Sequence, residues 1–124
     1  FENIVSTEKA HVEDFCYLAD LYGRMDRFDE AKDTLKRAQE RFPQNWRVPY
    51  YRGLVQHQAG QSEAAIRSLE EASRLAPFRS DPDWKLAQVY QSLGNGQEAD
   101  RLQKQSEAKK AKRKAIVDAE LTMV

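Results

Sequence analysis

The chain has 124 residues, with 20 Lys plus Arg against 20 Asp plus Glu, 40% apolar and 32% charged residues, and one cysteine. That length suits one domain of ordinary size. A net charge of zero gives no whole-molecule field toward nucleic acid or anionic lipid, a single cysteine excludes an internal disulfide, and no apolar run is long enough to cross a bilayer. The few Gly and Pro residues sit mostly at punctuation points, which argues against a loop-rich fold. The chain opens on Phe1 and has no signal-peptide pattern. It is taken as part of a longer protein, soluble, with its compartment left open.

Helical signals follow one another along the chain. Ser6 to Lys9, STEK, is suited to capping a helix that begins before residue 12, with Phe1, Ile4 and Val5 assigned to a preceding element. Val12, Phe15, Leu18, Ala19 and Tyr22 recur at helical spacing, and a break is expected between Gly23 and Arg27. Phe28, Ala31, Leu35, Ala38 and Phe42 mark a second helix, ended by Pro43. Asn45 is the expected N-cap of a third, with Pro49 in its first turn, where a missing N–H costs little. Gly60 makes the next turn, and Pro77 closes the helix that carries Ala65, Leu69 and Ala72. Ser80-Asp81-Pro82 reads as a cap residue followed by Pro at the first helical position. After Gly94-Asn95-Gly96, a last helix is expected from about Gln97 to beyond Ala115.

These signals repeat. A shift of 34 residues carries Ala31 onto Ala65, Leu35 onto Leu69, Ala38 onto Ala72 and Pro43 onto Pro77. A second shift carries Ala65 onto Ala99, Gly60 onto Gly94 and Val55 onto Val89. Three helix-pair units follow, at 12–45, 46–79 and 80–113, flanked by a helix start at 1–11 and a helical tail at 114–124. The small residues Ala19, Gly53 and Ala87 align on the first helices, and Ala31, Ala65 and Ala99 on the second. They mark where neighbouring helices approach most closely.

The period, the small–small spacing and the closing Pro resemble the tetratricopeptide repeat. The likeness spans about 102 residues, three units of 34. It implies an all-α solenoid of antiparallel helix pairs with an extended C-terminal helix. Four departures stand out: Arg52 and Gln56, where the family prefers Leu and an aromatic, Ser106 in place of Ala, and Ala111 in place of Pro. Without that Pro the last helix runs on as a polar cap, as terminal repeats require.

No residue pattern points to catalysis. His11 and His57 lie 46 residues apart, no Cys/His cluster has metal-ligand spacing, and Cys16 reads as a small packing residue. The acidic pairs Asp29/Glu30, Glu70/Glu71 and Asp81/Asp83 read as helix-start or charged-face residues. Gly94-Asn95-Gly96 lacks the Lys of a phosphate loop. No enzyme activity, cofactor or metal is expected. The basic run Lys104, Lys109, Lys110, Lys112, Arg113 and Lys114 reads as a solvated helix face that suits a C-terminal dipole; without interleaved aromatics it does not favour nucleic acid, and membrane binding is not expected.

In the resembled family the first helices of the units line a groove that holds peptides or helices of partners. Register then gives Glu13, Cys16, Tyr17, Asp20 and Arg24 from unit one. Unit two gives Arg47, Tyr50, Tyr51, Leu54, His57 and Gln58, and unit three Asp81, Trp84, Lys85, Gln88 and Gln91. Tyr50, Tyr51 and Trp84 either face the groove as hot-spot residues or plug the seams between units. One subset of the family clamps chaperone C-terminal carboxylates. At the matching positions stand Cys16, Asp20, Tyr51, Asp81 and Lys85, of which only Lys85 has the required charge, so that clamp is not expected. The expected partner is a protein or peptide, with self-association or docking within a larger protein as the alternative.

Overall fold

The computed structural model describes the backbone of residues 4–122 and the side chains of residues 11–119. These residues form six α-helices: α1 (Ile4–Arg24), α2 (Phe28–Arg41), α3 (Arg47–Gln58), α4 (Ser62–Leu75), α5 (Asp81–Ser92) and α6 (Gly96–Thr122). They pair as α1/α2, α3/α4 and α5/α6. α3 packs on both members of the first pair, and α5 is held chiefly by α4 and α6. Among the described residues no helix is long and apolar enough to cross a membrane. Ile4 and Val5 belong to α1 itself rather than to a preceding element; Phe1 lies outside the described residues.

Each pair turns through the same local structure. Asp26, Gly60 and Gly94 all take a left-handed φ, of 61°, 80° and 79°. The N–H of the following residue reaches back to a carbonyl of the last helical turn: Arg27 to Tyr22, Gln61 to Gln56 and Asn95 to Tyr90. This is the Schellman closure, in which glycine avoids the Cβ penalty of the left-handed region. Asp26 is the non-glycine exception. Asp26→Gly is therefore expected to stabilise the fold by about 0.5–1 kcal/mol, read as a rise in the urea midpoint at unchanged slope.

The caps differ from expectation in detail. The Asn45 carboxamide oxygen accepts the N–H of Arg47 at 3.0 Å, so it caps α3 from one residue further out than the cap position. Ser80 holds the cap position of α5 but makes no side-chain cap bond, and Asp81 precedes Pro82 as the first helical residue. Buried Ser80 instead presents its carbonyl to the Ser106 hydroxyl at 3.3 Å. That bond accounts for serine where the first two units carry Ala38 and Ala72.

The small positions form the seams as the pattern requires. Ala19, Ala31, Ala65, Ala87 and Ala99 are all buried. α3 fills the trough between α1 and α2: Val48 packs with Val12, Cys16, Ala38 and Phe42, and Val55 with Ala19, Ala31 and Leu35. α5 does the same on the second unit, with Leu86 and Val89 against Leu69. With no proline at residue 111, α6 runs unbroken for 27 residues, about 40 Å.

Arg52 and Gln56, the departures in unit two, satisfy one another through α4. The Arg52 guanidinium donates to Ser68 Oγ at 3.2 Å and Glu71 Oε1 at 3.0 Å, and Ser68 Oγ donates to Gln56 Oε1 at 2.7 Å. A half-buried polar network thus stands where leucine and an aromatic ring would otherwise pack. Among the described residues no buried side-chain polar atom lacks a partner.

Two charged features depart from the sequence reading. Asp83 is not on a charged face: it is 1% exposed and lies between α4, α5 and α6. The basic run of α6 does not meet a C-terminal dipole either, because the helix continues to Thr122 and its last turn holds no basic residue. Lys109 pairs with Asp83, and Lys110 stands over the Trp84 ring at 5.5 Å.

Candidate functional site

The first helices of the pairs place side chains three and four residues apart on one face. On α1 these are Tyr17, Asp20 and Arg24; Tyr17 is 66% exposed, and Arg24 pairs with the less exposed Asp20 at 3.1 Å. Arg47 of α3 reaches toward Glu13 of α1 at 3.9 Å and stacks on the Trp46 ring at 5.0 Å. Tyr51 is half-buried against the first seam. Burial first, and then the nearby α1 groups, Asp20 and Glu13 among them, push its hydroxyl pKa up. Tyr17, Asp20, Arg47 and Tyr51 are therefore brought together where α1 meets α3.

The α3–α5 side is assembled in the same way. His57 Nε2 stands 3.4 Å from Ser92 Oγ. Burial first and the positive charge of Lys85 second push the His57 pKa below its ordinary value, so the imidazole resists protonation on acidification. Leu54 and Lys85 are half-buried and Gln88 is exposed. Gln91 and Gln58 are also exposed.

The aromatic trio divides by its place in the stack. Cys16, Tyr50 and Trp84 share one register. Cys16 is buried beneath α3, its Sγ 3.8 Å from the Arg47 carbonyl, so it is core and lines no groove. Burial pushes its thiol pKa up to about 12, which leaves no nucleophilic thiolate near neutrality. Tyr50 packs on the Leu69–Leu86 cluster, and burial, followed by the Asp81 charge, raises its pKa to about 12. Trp84 is 43% exposed, since among the described residues no further unit lies over it.

The sequence reading omitted Trp46. Its ring meets Tyr50 edge-on at 5.5 Å, and Tyr50 meets Tyr51 likewise at 5.5 Å. Arg47 and Arg79 each stand over the Trp46 ring, at 5.0 and 4.9 Å, and Arg79 is held by Asp81 at 3.1 Å. Its register partners, Val12 and Ser80, carry no ring, so the repeat gave no reason to single it out. With Cys16 buried and Asp81 engaged by Arg79, the carboxylate-clamp positions offer Lys85 as their cation. Among the described residues no group of three or more His, Cys, Asp or Glu is placed to hold a metal ion.

A family model described as tetratricopeptide repeat matches residues 18–82. Among solved structures, the chain is similar to MamA of MSR-1, with a TM-score of 0.69 and 22% identity over 82% of this chain and 59% of that one. It is also similar to the type III secretion translocator chaperone SycD of Yersinia enterocolitica, with a TM-score of 0.73 and 16% identity over 90% of this chain and 84% of that one. No curated protein matches. The chain thus spans 59% of the length of the MamA chain, and at these identities the likeness is one of fold. Three helix pairs in a 34-residue register, closed by the same turn and sealed by the same small residues, agree with the family match: the chain belongs to the tetratricopeptide repeat family.

Proposed function

We propose that the chain is a protein-interaction module that holds a peptide or helix of a partner against its inner helices, as part of a larger protein. The observation that carries this reading is the row across α1, α3 and α5. Tyr17, Asp20 and Arg24 lead to Arg47, Tyr51, Leu54 and His57, and these lead to Lys85 and Gln88. Tyr50 and Trp84 flank the row. An exposed phenol, half-buried rings and paired charges of both signs suit an amphipathic segment better than a charged polymer. Helices that are already packed lower the ordering cost of binding. SycD, described as a translocator chaperone, shares the fold, which supports a protein as the partner class. The reading assigns no catalytic chemistry to the chain.

Panning a random peptide library against the chain and measuring the selected peptides by fluorescence anisotropy tests the reading. Tyr17→Ala/Gln88→Ala changes exposed side chains at the two ends of the row. It is expected to weaken selected peptides at least ten-fold, about 1.4 kcal/mol, with unchanged helicity. Selected peptides that bind wild type and variant alike would place the binding surface elsewhere.

A further inference from the structure

We infer that the two ends of the stack are halves of one seam, and that the partner for each is a second copy of this chain, joined head to tail. The inference starts from register. Leu18, Leu21 and Met25 of α1 correspond to Arg52, Val55 and Ala59 of α3 and to Leu86, Val89 and Leu93 of α5. In α3 and α5 the middle of this stripe is what enters the preceding unit: Val55 is 2% and Val89 0% exposed, while Leu93 at its trailing end stays 51% exposed. In α1 nothing precedes it among the described residues, and Leu21 is 54% and Leu18 42% exposed, against 0% for Val89 and 3% for Leu86. α1 thus carries the inserting half of a seam with no trough to enter.

The trough is at the other end. Between α5 and α6 lies a cavity of about 380 Å³ lined by Trp84, Ala87, Gln88, Gln91, Ser92 and Gln103. Trp84, Ala87 and Gln103 hold the register of Tyr50, Gly53 and Leu69, the floor on which α5 sits, and of Cys16, Ala19 and Leu35, the floor on which α3 sits. The molecule therefore shows twice, in its own interior, what covers this surface: the first helix of a unit, with its apolar stripe inward. Among the described residues one such helix is left uncovered, α1.

The overhangs agree with this docking. A first helix lies antiparallel to the second helix of the unit it enters. α1 begins at Ile4, ahead of the first unit, and α6 continues to Thr122, past the third. Docked α1 would run antiparallel beside α6, its leading turns alongside the trailing turns of α6. Gln103 replaces the leucine of the internal seams, so the contact is reversible where the internal ones are permanent. Because the two surfaces differ, the contact is heterologous and grows into a chain of copies or closes a ring.

Sedimentation velocity on the full 124-residue chain across a concentration series tests this. Wild type is expected to gain mass with concentration. Leu21→Glu blocks the head and Gln103→Glu the tail, both at exposed positions, and each alone is expected to weaken association at least ten-fold with unchanged helicity. Mixed one to one, the two variants are expected to pair and stop at dimers, because each retains the surface that the other lacks. A wild type that stays monomeric at every concentration would assign these ends to another segment or partner and overturn the inference. So would variants that associate like wild type, or a mixture that fails to pair.

Discussion

Asp83→Ala is expected to lower the stability of the fold by about 3 kcal/mol, read as a fall in the urea unfolding midpoint. The carboxylate is 1% exposed and collects three donors: Ser73 Oγ at 3.3 Å, Gln105 Nε2 at 3.2 Å and Lys109 Nζ at 2.5 Å. These come from α4 and from two turns of α6, so one group on α5 ties three helices together. Removing it leaves a half-buried ammonium without its counter-charge. Lys109 is still 19% exposed and reaches water in part, which sets the loss at the lower end of the range for broken buried pairs. The first two units carry Phe15 and Pro49 at this register, so an apolar residue fits the site. Asp83→Leu/Lys109→Met is accordingly expected to recover most of the loss. A single variant within about 0.5 kcal/mol of wild type, the ordinary range of surface substitutions, would mean that the three donors rehydrate freely and that the cluster does not hold α6.

The second large effect is expected at Gly53. Alanine in a helix interior normally gains about 1 kcal/mol over glycine. Here the added Cβ would lie 2.7 Å from Leu69 Cγ, 2.9 Å from Leu69 Cδ2 and 3.3 Å from the Ala65 carbonyl oxygen. Leu69 is fully buried against Leu86, Val89 and Leu102, so it has no free direction in which to turn. Overpacking then outweighs propensity, and Gly53→Ala is expected to destabilise by about 1–3 kcal/mol. Gly23→Ala is the control: there the closest atom is Gln58 Oε1 at 2.6 Å, the far end of an exposed side chain that swings aside. Equal effects at the two glycines would show that the α3–α4 approach is not the constraint.

The helix pairs were legible because their signals are local and repeated: apolar spacing, small seam residues and the glycine or proline at each end all recur after 34 residues. Asp26 was harder to read, since the register demands a left-handed residue there but the letter is not glycine. Asp83 and the Arg52–Gln56–Ser68 network were not legible at all. In a sequence a buried carboxylate resembles a helix-start acid, and its donors on α4 and α6 lie 10 to 26 residues away. The groove was legible as a face but not as an exposure pattern. Cys16, Tyr50 and Trp84 occupy one register, and what separates core from surface among them is whether another unit lies on top. That is a property of position in the stack, not of residue type.

The identical turns at Asp26, Gly60 and Gly94 make the length of this wall a discrete variable. Residues 46–79 form a cassette whose leading side fits unit one and whose trailing side accepts unit three, so a tandem duplication of that stretch meets at its new joint much the same surfaces that its neighbours already offer. Evolution or a protein engineer can therefore lengthen the inner surface in whole steps, changing how long a guest it spans while leaving both ends as they are.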